Sequence, residues 1–135
     1  MSIPLINRTM ASSIESLFKY LPVITLTGPR QSGKTTLCRN VFSSLPYTNL
    51  EDASTLAEVR MDPKAFLAKY SEGVIIDEAQ NFPEIFSYLQ VAVDEDRITE
   101  NERKFIVTGS NNFSLMQHIT QSMAGRTAVM SLLPL

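Results

Sequence analysis

The feature that most narrows what this chain can become is Gly28-Pro29-Arg30-Gln31-Ser32-Gly33-Lys34-Thr35, a match to the pattern G-x-x-x-x-G-K-[ST]. The run Val23–Thr27 before it is β-branched and apolar, which predicts a strand. The run from Lys34 to about Ser44 predicts a helix with Leu37, Cys38, Val41, Phe42 and Leu45 on one side. Strand, glycine loop, helix is the context the pattern requires. Each fixed position has a physical task. The glycines permit backbone angles and close approach that a Cβ would block. Successive N–H groups then form a nest for an anion, and the helix aims its positive end at the same place. Lys34 brings a mobile cation to phosphate oxygens, and the Thr35 hydroxyl can join a magnesium shell. Chance alone produces the pattern in on the order of one in a few hundred chains of this length.

A second element is Val74-Ile75-Ile76-Asp77-Glu78, an apolar run ending abruptly in two carboxylates. A strand buried on both faces reads this way. It can deliver Asp77 to a metal, with Glu78 placed to polarise an attacking water. A third is Thr108-Gly109-Ser110-Asn111-Asn112, after a predicted strand Phe105–Thr108. Ser110 and Asn111 are equal candidates to bond a terminal phosphate or the water, while Asn112 reads as a helix cap. The fourth is Arg126, between a helix and the last strand, where an arginine can stabilise transition-state charge in cis or in a neighbouring subunit.

Further elements follow from periodicity. A helix is expected over Ser13–Tyr20, with Ser12 and Glu15 spaced as a capping box. A weak strand is expected over Tyr47–Leu50, and helices over Ser54–Arg60 and Pro63–Tyr70. Pro83 should open a helix that turns Ile85, Phe86, Leu89 and Val93 inward. Phe113 to about Met123 is a helix, and Thr127–Leu133 a fifth strand. Five strands alternating with helices imply an α/β fold: a three-layer sandwich around a mostly parallel sheet. Ligands in such sheets bind beyond the carboxyl ends of the strands, where the polar residues above collect.

Composition supports one domain of 135 residues. Hydrophobic residues at 44% and charged residues at 19% exclude a disordered or collagen-like chain. A net charge of −2 lacks the basic footprint of a dedicated nucleic-acid binder. No apolar run reaches the ~18 residues of a membrane helix, so no membrane partner is expected. The N-terminus has Glu15 early and no long apolar core, unlike a signal peptide. The lone Cys38 suits a reducing, cytoplasmic setting and a packing role. His118 has no second imidazole for a metal, and Glu51 and Asp52 read as a solvated loop.

With these residues in place, the chain resembles the P-loop ATPases of the AAA+ superfamily. It is similar above all to the prokaryotic AAA-type ATPases that carry an additional C-terminal domain of unknown function. The phrases TGPRQSGKTTL, NLEDAS, VIIDEAQNFPEIFSYLQVAVDE, FIVTGSNNFSLM and SMAGRTAVMSLLPL carry the resemblance. It implies a strand order of 5-1-4-3-2, ATP and Mg²⁺ as ligands, and an ATPase core cut short before a helical lid and a downstream domain. The implied nucleotide-binding set is Gly28, Pro29, Arg30, Gln31, Ser32, Gly33, Lys34, Thr35 and Thr36. Thr35 and Asp77 would hold the metal. Glu78, Lys34, Ser110 or Asn111, and Arg126 would serve catalysis, although Asn111 departs from the family's usual Gln. Partners implied for a complete protein are further copies of itself, its own C-terminal domain and nucleic acid, the last without support from charge. The alternatives are a nucleotide switch or scaffold without turnover, and a P-loop kinase acting on a small molecule. A kinase needs an acceptor pocket and an arginine-rich lid that the sequence does not offer. A GTPase lacks its N-K-x-D motif here.

Overall fold

A computed structural model describes residues 12–17, 19–29, 33–110, 112–123 and 126–131. Strands β1 (Val23–Thr27), β2 (Tyr47–Asn49), β3 (Gly73–Asp77), β4 (Lys104–Gly109) and β5 (Thr127–Ser131) form one sheet in the order β2-β3-β4-β1-β5. Every pairing is parallel. Read from the other edge, this is the expected order 5-1-4-3-2. The helices are α1 (residues 12–17), α2 (Lys34–Val41), α3 (Ala53–Met61), α4 (Pro63–Ala68), α5 (Ile85–Thr99) and α6 (Phe113–Ser122).

The period of two along the central strands sorts their side chains between two cores. Val23, Val74, Ile76, Phe105 and Val107 join Val59, Phe66, Phe86, Leu89, Leu115 and Ile119 beneath α3 to α6. Ile24, Leu26, Ile75 and Ile106 join Ile14, Leu37 and Cys38 beneath α1 and α2. Burial on both faces explains why β1, β3 and β4 read as near-continuous apolar runs. Each buried Val, Leu, Ile or Phe contributes about 1.5–3 kcal/mol, so the sheet centre is a rigid platform for whatever its rim carries.

Several ends differ from the sequence expectation. Helix α2 stops at Val41, where the Phe42 N–H bonds the Cys38 carbonyl and a turn follows. Pro46 lies just beyond, and chains seldom stay helical up to a proline. Pro83 does not open α5. It sits in a turn after a 3₁₀ segment, Ala79–Asn81, and α5 begins at Ile85. Ser12 is already helical, so it is not the cap of α1. Asn112 does cap α6, accepting from the Leu115 N–H at 2.7 Å. Asn112→Ala should lower stability by about 1 kcal/mol, read from urea denaturation.

A paired charge fixes the end of α5 against the entry to β4. Arg103 grips Asp96 with Nε at 2.9 and 3.1 Å and a terminal nitrogen at 2.8 Å, and also donates to the Leu67 carbonyl. Among the described residues no helix is long and apolar enough to cross a membrane.

Candidate functional site

Parallel pairing puts the carboxyl ends of β1, β3 and β4 on one rim. Thr27 stands beside Gly109, and Ile76 beside Val107, so Gly28, Asp77, Glu78 and Ser110 emerge together. The glycine loop leaves this rim and enters α2 through Gly33, whose φ of 85° suits a residue without a Cβ. Arg30, Gln31, Ser32 and Asn111 lie outside the described residues.

Alternation carries Asp77 onto the α2 side of the sheet, in phase with Ile75, and carries Thr108 there in phase with Ile106. The Thr35 hydroxyl on α2 donates to Asp77 Oδ2 at 2.9 Å. Tyr47 on β2 donates its hydroxyl to the same oxygen at 2.5 Å. Thr108 donates to Asp77 Oδ1. Three donors from three elements therefore fix one nearly buried carboxylate, and bonds to a charged acceptor are worth about 1.5–3 kcal/mol each. Burial, then the bond to Asp77, push the Tyr47 hydroxyl far above the usual phenol range, so it remains a donor.

Lys34 is 1% exposed, unusually deep for an ammonium. Its Nζ donates to the Pro29 carbonyl at 3.2 Å and lies 3.8 Å from Glu78 Oε1. Glu78 has φ 60° and ψ 48°, a left-handed conformation that costs a non-glycine residue of order 1–2 kcal/mol. Its surroundings impose this conformation. The Glu78 N–H donates to Thr108 Oγ1, and the Glu78 carbonyl accepts from the Asn81 amide side chain and N–H. The Gln80 side chain donates to Glu78 Oε2 at 2.6 Å and accepts from the Ser110 N–H at 3.0 Å. The Ser110 hydroxyl accepts from Asn112.

The structure thus brings together Gly28, Gly33, Lys34, Thr35, Asp77, Glu78 and Ser110, with Pro29 and the exposed Thr36 on the same loop and helix. It does not bring Arg126. That residue precedes Thr127, which pairs with Val23 at the amino end of the sheet. The rim lies roughly 13 Å farther along β5. Arg126 instead bonds Asp94 of α5 at 3.0 and 3.1 Å, and this bond holds the Asp94 carboxyl below its ordinary range. The expectation that Arg126 acts in cis is therefore corrected by strand direction.

Three contributors escaped sequence reasoning. Thr108 looked like one more β-former, and Tyr47 like an aromatic in a weak strand. Gln80 had a usable signal, being two residues past Glu78 at a strand end. Of the other residues weighed in the sequence, Cys38 packs as expected, while Asp52 caps a helix rather than lying in a plain solvated loop. Cys38 is fully buried in the core beneath α2, and burial pushes its thiol far up. His118 bonds the Ser114 carbonyl of its own helix. Asp52 caps α3 through Thr55. Among the described residues no group of three or more His, Cys, Asp or Glu could hold a metal. The donor set that does converge, Thr35 with Asp77, consists of hard oxygens, the type magnesium takes one or two of while keeping water.

Comparison with known proteins agrees with this architecture. The family model described as AAA domain matches residues 21–135. An uncharacterized protein of Mycobacterium tuberculosis is 35% identical over 127 residues, covering 93% of this chain and 28% of its own length. A Mycobacterium bovis protein matches to the same extent. The chain spans just over a quarter of the length of these curated relatives. Among solved structures, a DNA replication initiation factor superposes with a TM-score of 0.65 at 12% identity, covering 98% of this chain and 47% of that one. A Walker-type ATPase of Pyrococcus abyssi gives 0.63 at 18% identity, covering 96% and 53%. RuvB of Thermotoga maritima gives 0.61 at 19%, covering 97% and 45%. These last three likenesses speak to fold. The family match over most of its length, together with the glycine loop and sheet order, shows that the chain belongs to the AAA domain family as an AAA-type P-loop NTPase core.

Proposed function

We propose that this domain binds ATP with magnesium and hydrolyses its β–γ phosphoanhydride. One contact carries the proposal: the Thr35 hydroxyl, at the start of α2, lies 2.9 Å from the Asp77 carboxylate at the end of β3. Loop and strand thus meet at a pair of oxygen ligands beside Lys34 and Glu78. Thr35 and Asp77 would hold the metal, and a magnesium ion bound there would neutralise charge on the phosphate oxygens.

The chain's own groups supply the rest. The N–H groups between Gly28 and Thr36 surround the phosphates at the positive end of α2. By the loop motif, Arg30, Gln31 and Ser32 would contribute to that cradle. Lys34 exchanges the Pro29 carbonyl for β- and γ-phosphate oxygens, which releases its hold on Glu78. Glu78 then orients the water whose oxygen attacks the γ-phosphorus. Glu78 takes one of the water's protons as the bond from the γ-phosphorus to the β–γ bridging oxygen breaks, leaving ADP and inorganic phosphate, and Glu78 then passes that proton to the phosphate or to solvent. Ser110, or Asn111, bonds the γ-phosphate or the water from the end of β4. Arg126 can contribute only to a neighbouring copy, because its own rim is out of reach. Coupling of this cycle to movement of further domains is proposed for longer proteins of this kind.

Calorimetric titration of the chain with ATP and magnesium, beside phosphate release, tests the proposal. Binding with slow release is expected in the wild type. Lys34→Ala should weaken ATP affinity by about 10-fold or more, since it removes a charge-assisted contact worth about 1.5–3 kcal/mol. Equal affinity in the two proteins would count against the assignment.

A further inference from the structure

We propose that Gln80 is a positioning residue that couples the glycine loop to Glu78. The Gly109–Ser110 peptide unit is the joint of this coupling. Its carbonyl accepts from the Gly28 N–H at 3.2 Å, and its N–H donates to Gln80 Oε1 at 3.0 Å. Gln80 Nε2 then donates to Glu78 Oε2 at 2.6 Å, and Glu78 Oε1 faces Lys34 Nζ at 3.8 Å. The chain of contacts begins at the first residue of the loop and returns to its lysine. Both ends of the Gln80 amide are committed. Turning the amide over would set its NH₂ against an N–H and its oxygen against a carboxylate, two repulsions in place of two bonds. The orientation is therefore dictated by its neighbours.

Gly109 makes the approach possible. A Cβ there would stand 3.2 Å from Gln80 Oε1 and 2.5 Å from Leu115 Cδ2. The bond from the Gln80 amide fixes one of the two Glu78 carboxylate oxygens. When phosphates draw Lys34 away from Oε1, Gln80 still holds Oε2, so the freed oxygen keeps a set direction. A shift of the Gly28 N–H on phosphate binding reaches Glu78 through a single peptide and a single side chain. This proposal rests on the hydrolytic reading above, and it adds the residue that aims the general base.

Gln80→Met keeps the length of the side chain and removes both bonds. It should lower kcat by about 10- to 100-fold, the scale of misplacing a catalytic group, with KM for ATP within about twofold. Gln80→Glu keeps the acceptor for Ser110 but sets a second carboxylate against Glu78 where the amide donor stood. This variant should show a fall in kcat at least as large as Gln80→Met, again with KM for ATP within about twofold. A merely structural Gln80 predicts near-normal kcat in both variants, or kcat and KM that move together. Either pattern would overturn the proposal. A second measurement needs no turnover. The side-chain NH₂ resonances of Gln80, identified by their loss in Gln80→Met, should move when a non-hydrolysable ATP analogue with magnesium binds the wild-type chain. Unmoved resonances with bound analogue overturn the coupling even if ATP is hydrolysed. Moving resonances without phosphate release support it and count against hydrolysis instead. A chain that binds no analogue sinks both.

Discussion

Glu78→Gln should slow ATP hydrolysis by roughly 10²- to 10⁴-fold while leaving ATP affinity within a few-fold, the range expected when one general base is removed. The substitution changes few atoms. A glutamine at this position still offers an oxygen to Gln80, whose 2.6 Å bond is the shortest of the Gln80 contacts. The left-handed backbone is held by Thr108 and Asn81 through main-chain atoms, which the substitution leaves alone. What disappears is the negative charge 3.8 Å from Lys34 and the ability to draw a proton from water. Loss of that charge frees Lys34 for phosphates, so affinity should hold or rise slightly. Phosphate release under saturating ATP and calorimetric titration read the two quantities separately. Turnover within twofold of wild type would remove Glu78 from the mechanism. A parallel collapse of affinity would assign it to binding.

The fold was largely legible because its signals are redundant. The runs Val23–Thr27, Val74–Ile76 and Phe105–Thr108 are near-continuously apolar or β-branched since both sheet faces are covered, and that separates a parallel centre from an exposed edge. Strand β2, with three residues and only Thr48 buried, carried a weaker signal for the same reason. The residues with fixed spacing in one local motif, Lys34 and Thr35, were found at once. So were Asp77 and Glu78, which end an unmistakable strand. Thr108 and Tyr47 were missed because their importance comes from phase and register. Thr108 matters only because β4 places it level with Asp77 on the same face, and Tyr47 only because β2 is the neighbour of β3. Arg126 failed in cis for a directional reason. A residue at the start of a parallel strand faces the wrong end of the sheet, which sequence adjacency to a glycine cannot reveal.

The delivery of Asp77 also depends on a residue without a side chain, and Gly73→Ala should cost about 3–5 kcal/mol of stability. Gly73 opens β3 at φ 110°, a conformation that L side chains rarely adopt. A Cβ built there would lie 1.8 Å from the Lys104 carbonyl oxygen and 2.6 Å from its carbon. Those are backbone atoms of the neighbouring strand, which cannot rotate away. At Gly109 the nearest atom is the end of a leucine side chain, which can yield. Relief at Gly73 requires β3 to part from β4 where Gly73 pairs with Lys104, and the Lys104 N–H would strain its bond to the Glu72 carbonyl. Domains of this size are stable by about 5–15 kcal/mol, so the loss is a large fraction of the total and corresponds to a melting temperature lower by about 10–20 °C. Asp77 lies four residues up the same strand, so the damage should extend to the site. Molecules of the variant that remain folded should bind ATP with magnesium more weakly, because Thr35 and Thr108 lose register with the carboxylate they hold. Thermal denaturation with and without ATP separates the effects. The wild type should gain melting temperature from nucleotide, and Gly73→Ala should start lower and gain less. A variant that melts with the wild type would show that β3 tolerates a side chain at its entry, and that Gly73 does not anchor the strand delivering Asp77.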